Sequence, residues 1–201
     1  MKKIVVLFPT KSEAKLFNRE DVSFRFTGVG MTAAAYMTSK CILEDKPDII
    51  IMAGIAGVYY DSKFKKGETV IVSREHEADC GFFTKTGFEH ISKGENNMDY
   101  EVISHLDCPY VNPNMPFPLA SANTMNAALA PFVNTDDVDI ESMEGYAFFY
   151  SCIKENVEFY ELRTISNYVD PDDEWNYEDS IKNMTSSLHT LIDYLNSSPL
   201  K

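Results

Sequence analysis

Residues 141–167 read ESMEGYAFFYSCIKENVEFYELRTISN. Glu144 opens an apolar run, Gly145 to Lys154, whose small and aromatic residues predict a buried helix. From Val157 to Ile165 the chain is rich in β-branched and aromatic residues, which predicts a long strand. That strand delivers Ser166 and Asn167 at its carboxyl end. A helix running straight into an apolar strand is the repeating unit of a parallel sheet.

The same alternation extends in both directions. Ile4 to Phe8 reads as a buried strand bounded by Pro9, and Ser12 as the cap of a short helix carrying Glu13, Ala14, Leu16 and Phe17. Val22 to Thr27 predicts a strand entering the turn Gly28-Val29-Gly30, followed by a helix from Met31 to Leu43 that ends before Pro47. Asp48 to Ala53 is a further buried strand, leading into a glycine loop, Gly54-Ile55-Ala56-Gly57. Thr69 to Ser73, Leu119 to Ala122 and Asp139 to Ser142 read as shorter strands. Ile181, Met184, Leu188, Leu191, Ile192 and Leu195 recur at helical spacing, so an amphipathic helix closes the chain from Tyr177 to Asn196. Between Cys80 and Pro118, four prolines forbid a regular central element. Several strands are apolar on both faces. The expected fold is therefore α/β, a three-layer α/β/α sandwich with a mostly parallel mixed central sheet, in one domain over residues 1–201. Ligands in such sheets sit beyond the carboxyl ends of the strands.

At 201 residues and 44% hydrophobic, the chain buries a core without disulfides or a structural metal. Its net charge of −13 repels nucleic acid and anionic membrane surfaces, so neither is an expected partner. Cys41, Cys80, Cys108 and Cys152 form no C-x-x-C pair and read as reduced thiols of a cytoplasmic protein. The run from Met1 to Pro9 is too short for a secretory signal, and no stretch approaches a membrane span. His76, His90, His105 and His189 form no metal pattern, and His189 falls on the polar side of the last helix.

Read as residues alone, Glu13 is a first-turn carboxylate, Glu144 a helix-opening one, and Asn167 an amide after a strand. Taken together and in order, Glu13, Gly28-Val29-Gly30, Gly54-Ile55-Ala56-Gly57, Met143-Glu144 and Arg163-Thr164-Ile165-Ser166-Asn167 resemble the nucleoside phosphorylase and nucleosidase family. The continuation Asn167-Tyr168-Val169, with its acidic turn and Trp175, is most similar to the futalosine hydrolase branch of that family.

The resemblance implies a purine nucleoside ligand, a homodimer, no metal and no cofactor. It implies that Glu13 activates water and that Glu144 holds the ribose and stabilises its developing positive charge, with Met143 packed on the sugar. It also implies that Gly30, Gly54, Ile55, Ala56, Gly57, Ser142 and Ser166 shape the pocket. Departures from the family pattern carry information too. Met52 stands where phosphorylases place a phosphate-gripping arginine, which favours water as the nucleophile unless another cation such as Arg74 substitutes. Ser142 replaces a second ribose glutamate. Asn167 replaces the aspartate of many adenine-specific relatives. Its amide accepts from a protonated ring nitrogen 7 and donates to a 6-oxo group, which points to hypoxanthine as the leaving base. Arg74 and Lys85 are candidates for binding the 5′ side of the sugar. Methylthioadenosine/adenosylhomocysteine nucleosidase, purine nucleoside phosphorylase and a non-catalytic nucleoside-binding module are the alternatives.

Overall fold

A computed structural model describes residues 2–93 and 103–197. Within them the strands are β1 (Ile4–Phe8), β2 (Ser23–Phe26), β3 (Ile49–Val58), β4 (Thr69–Glu77), β5 (Gly81–Phe83), β6 (Phe88–His90), β7 (Leu106–Asp107), β8 (Leu119–Thr124), β9 (Ile140–Ser142) and β10 (Glu158–Tyr168). The helices are α1 (Met31–Asp45), α2 (Gly145–Lys154) and α3 (Tyr177–Ser197). The main sheet runs in the order β10-β4-β8-β9-β3-β1-β2, with β7 on β4, while β5 and β6 form a separate hairpin. β1–β2, β1–β3, β3–β10, β4–β8 and β8–β9 are parallel, and β4–β10, β3–β9 and β4–β7 are antiparallel. Because β10 pairs with β3 as well as β4, the sheet curls back on itself around the long strand β3.

The three layers follow from side-chain placement. The helices α1 and α2 cover one face through Ala34, Cys41, Phe148, Phe149 and Cys152, joined to Val5, Leu7, Ile50 and Phe159 of the sheet. The last helix covers the other face. Its Ile181, Met184, Leu188, Leu191, Ile192 and Leu195 pack with Ile4, Val6, Ile49, Ile51 and Leu162. Period-two strands and a 3.6-period helix thus divide one apolar chain into two cores.

Four local expectations are corrected. No helix forms after β1. Residues 11–16 make a turn in which Thr10, not Ser12, accepts from the Glu13 amide. Gly54 and Gly57 lie inside β3 rather than in a loop, because a strand tolerates glycine where neighbouring side chains crowd its backbone. Likewise β10 continues through Ser166 and Asn167 to Tyr168. His189 is half-buried, its ring 5.6 Å from that of Phe17, instead of lying on a polar face. Part of the proline-rich middle is ordered as β5, β6 and β7, and the rest of that expectation, over residues 94–102, lies outside the described residues.

Candidate active site

The carboxyl ends of β1, β3 and β10 open onto a cleft of about 280 Å³. Glu13, Ile55, Ala56, Gly57, Ser142, Met143, Glu144, Ser166 and Asn167 line it, together with Pro9, Thr10, Val29, Ala128, Leu129, Glu141, Arg163, Trp175 and Tyr177. Gly30 and Gly54 stand one layer behind. Gly30 donates its amide to Glu144 Oε1 (3.1 Å), and Gly54 leaves room for the tips of Arg163 and Glu13. Residues far apart in sequence therefore meet in one cavity.

Glu13 is buried (4% exposed) at the end of the first turn. Thr10 Oγ1 donates to its Oε2 at 2.7 Å and the Ile55 amide to its Oε1 at 3.1 Å. Burial raises its pKa, against the opposing pull of Thr10, the Ile55 amide and Arg163. A base poised above the ordinary carboxylate range is suited to taking a proton from water.

Arg163 is the group that sequence reasoning passed over. It is 1% exposed and anchors the floor of the cleft. Nε donates to Glu161 (2.7 Å), Nη1 to the Ile55 carbonyl (3.2 Å), and Nη2 to Glu144 Oε2 (3.2 Å) and Met52 Sδ (3.4 Å). Burial alone opposes its charge, but Glu161 and Glu144 outweigh that and raise its pKa. Met52 thus does face a guanidinium, though one committed to carboxylates. Arg74 does not substitute for it. It pairs with Asp107 beside a different cavity, and Lys85 sits in the β5–β6 turn away from the cleft. Among the described residues, Arg163 is the only cation lining the cleft, against Glu13, Glu141 and Glu144.

Glu144 precedes α2, but its side chain makes no helix cap. Gly30 and Arg163 hold it, one on each oxygen. Behind it, the fully buried Glu161 and Glu75 lie together under the first turn of α2, and Glu75 Oε1 and Glu161 Oε2 have no hydrogen-bond partner among the described residues. Burial first, and then the charge of Glu161, raise the Glu75 pKa well above the usual carboxylate range, which favours its neutral form. Only glycine fits above them. A Cβ at Gly145 would lie 1.9 Å from Glu75 Oε1.

The bulge in β10 between Ile165 and Asn167 turns two successive side chains toward the cleft, which a regular strand does not allow. Ser166 Oγ donates to Asn167 Oδ1 (2.7 Å), and Asn167 Nδ2 donates to the Tyr168 carbonyl (2.8 Å). These bonds fix which way the amide faces and leave it one lone pair and one N–H for a ligand. Ser142 Oγ is buried with no protein partner among the described residues. At the mouth, Trp175 is 58% exposed and so belongs to the rim, not the core.

Two signals for the missed residues were present. Glu161 and Arg163 stand two apart in an apolar strand, hence on one face, where an ion pair is the stable arrangement. Glu141 lies beside the expected Ser142. Among the described residues no group of three or more His, Cys, Asp or Glu is arranged to hold a metal ion, and no helix is long and apolar enough to cross a membrane.

No protein-family model matches the sequence, and no curated protein matches it. Solved structures do. A methylthioadenosine/adenosylhomocysteine nucleosidase superposes with a TM-score of 0.76 at 17% identity, over 98% of this chain and 97% of its own. The apo methylthioadenosine nucleosidase of Arabidopsis thaliana gives 0.76 at 16%, over 99% and 98%. A mutant futalosine hydrolase of Helicobacter pylori strain 26695 gives 0.76 at 14%, over 96% and 100%. The chain has the mixed α/β fold that these nucleosidases share.

Proposed function

We propose that this chain is an N-ribosyl hydrolase of purine nucleosides, and that futalosine is its substrate, cleaved to hypoxanthine and dehypoxanthinylfutalosine. The observation that carries the reading is the meeting of Glu13, Glu144 and Asn167 around one cavity. Water attacks C1′ of the ribose while the bond to N9 breaks and its electron pair passes to the base. Glu13 takes the proton from the attacking water, and Glu144 faces the positive charge that builds on the sugar. Arg163 holds Glu144 in place. The departing base takes a proton from solvent at N7, and Asn167 accepts from that N7–H and donates to the 6-oxo group.

Water is favoured over phosphate because an incoming phosphate would meet three carboxylates and one guanidinium already bound to Glu161 and Glu144. Solved structures of similar fold include both a futalosine hydrolase and methylthioadenosine/adenosylhomocysteine nucleosidases, and it is the asparagine at 167 that favours the 6-oxopurine. Cys41, Cys108 and Cys152 are free and buried, which suits a reducing cytoplasm. Exposed Tyr36 and Leu43 of α1, beside Tyr150 and Ile153 of α2, support a homodimer.

Base release from futalosine, aminofutalosine, methylthioadenosine and inosine, with and without phosphate, tests the proposal. Hypoxanthine release from futalosine, independent of phosphate, is expected. Preferential release of adenine overturns the base assignment, and a requirement for phosphate overturns hydrolysis.

A further inference from the structure

Glu75 is a buried carboxyl group that the reaction above does not use. It stands on β4, beneath the cleft and outside its lining. Glu75, Glu161 and Glu144 are all buried, and a single guanidinium, that of Arg163, is divided between Glu161 and Glu144. The division is uneven. Nε meets Glu161 at 2.7 Å, while Nη2 meets Glu144 at 3.2 Å. The longer bond is the weaker, so the hold on Glu144 is the one that yields when Glu161 pulls harder.

The surroundings of Glu75 show where a hydrogen is needed. Thr124 Oγ1 donates to Glu75 Oε2 at 2.7 Å, and the Tyr146 amide donates to that hydroxyl oxygen at 2.8 Å, which commits the threonine hydrogen to Glu75. Glu75 Oε1 and Glu161 Oε2 are left without partners among the described residues. The position of a Cβ on Gly145, 1.9 Å from Glu75 Oε1, is also 2.7 Å from Glu161 Oε1, so the two carboxyl tips are neighbours in a space closed by α2. Two ionised carboxylates here would turn only lone pairs toward each other. A hydrogen on Glu75 Oε1 makes one of them a donor, and burial together with the charge of Glu161 favours that neutral form. The other titratable groups around the pair are committed elsewhere. Arg163 of β10 spends its donors on Glu161, Glu144, Met52 and the Ile55 carbonyl. Tyr59, after β3, gives its hydroxyl hydrogen to Glu141, and Tyr146 of α2 gives its own to the Ile103 carbonyl. The Cys108 and Cys152 thiols, which feel the charge of Glu161, are kept neutral by burial.

Resting on the nucleosidase reading above, we propose that Glu75 is a positioning residue, a neutral carboxylic acid that donates its hydrogen to Glu161 and so leaves Arg163 able to hold Glu144 at the ribose. Given that donor, Glu161 shares the guanidinium with Glu144. Deprived of it, Glu161 carries its full charge on Arg163 alone, draws the guanidinium in, and slackens Glu144. Glu75 touches no substrate. It acts through Glu161, Arg163 and Glu144 in turn.

Two measurements decide it. The first needs no turnover: infrared spectra of the wild type and of Glu75→Gln are compared near neutral pH. The C=O stretch of a protonated carboxyl group is expected in the wild type and should be lost in the variant. Identical spectra in that region overturn the proposal. The second is kcat/KM for base release in Glu75→Gln, Glu75→Leu and the double variant Glu75→Leu/Glu161→Gln. The glutamine amide still donates, so it should rescue activity to within about threefold of wild type. Leucine fills the space without donating, and a loss of about tenfold or more is expected. Removing the Glu161 charge as well relieves the pull on Arg163, so the double variant should recover most of that loss. A packing role alone makes the two substitutions add; that result, or an unaffected leucine variant, overturns the positioning. Should Glu75→Leu fail to fold by circular dichroism, a loss of about tenfold or more in Glu75→Gln overturns it instead. Should the wild type release no base, the hydrolase reading fails, while the infrared comparison still judges the hydrogen on Glu75.

Discussion

A methyl group at position 54 tests whether the tips of Glu13 and Arg163 must be where they are. Gly54 lies in extended β3, so alanine meets no backbone objection there. The obstacle is space. Its Cβ would lie 2.6 Å from Arg163 Nη1, 3.0 Å from Glu13 Oε1 and 3.3 Å from Pro9 Cγ. Comfortable contacts are about 3.5–4 Å, so the guanidinium must retreat by about 1 Å. That breaks the bond from Nη1 to the Ile55 carbonyl and displaces Glu13 from the Ile55 amide.

Overpacking of this kind costs about 1–3 kcal/mol, offset by about 0.4–1 kcal/mol from the stiffer unfolded chain. The melting temperature should therefore drop by only a few degrees. A displacement of about 1 Å in the catalytic groups costs about 10²-fold in rate. Gly54→Ala should thus keep its fold by circular dichroism and lose about two decades in kcat/KM for base release. A variant that unfolds only a few degrees earlier yet retains activity within about threefold refutes the assignment of Glu13 and Arg163 to the reacting centre.

Glu13→Gln should reduce turnover by about 10²–10⁴ while leaving the dissociation constant of a non-hydrolysable nucleoside analogue unchanged. Because burial raises the Glu13 pKa and the base works only when ionised, kcat should fall as pH drops through a midpoint above 4.5; a midpoint at or below that value contradicts the role. Arg163→Met strands Glu161 and Glu144 without their cation, so a loss of about 3–5 kcal/mol by urea unfolding is expected, partly recovered by adding Glu161→Gln. Glu75 tests the buried proton. Its folded pKa is raised above the unfolded value near 4.5, so the native state keeps a proton that the unfolded chain has lost, and stability falls as pH rises above that value. Glu75→Gln keeps a donor toward Glu161 without needing the proton. Its melting temperature relative to wild type should climb between about pH 5 and pH 8, and a pH-independent difference counts against the shared proton.

The fold was legible because its elements obey simple periods. The helix Gly145–Lys154 is placed by sequence to the residue, and the last helix to within one residue of its end. What misled were residues read by habit rather than by neighbours. Glycines signal a loop when nothing is known of what they face, yet Gly54 and Gly57 serve as the flat stretch of a strand on which Glu13, Arg163 and Asn167 rest. The turn after β1 contains good helix formers, but Thr10 satisfies the Glu13 amide and carboxylate locally, and the chain gains more from placing Glu13 over β3 than from a helical turn. Glu13, Glu144 and Asn167 were accessible through their resemblance in order and spacing. Arg163 stood within the same motif and Glu141 beside it in the chain, but what each side chain meets is decided by cross-strand partners, and sheet register is not written in the local sequence.

The mass of the sugar product formed from futalosine in phosphate buffer is the most direct test of hydrolysis around a purine riboside. Free hypoxanthine and the water adduct, dehypoxanthinylfutalosine, are expected, with no phosphorylated sugar. A 1-phosphate product, or futalosine recovered whole, contradicts it.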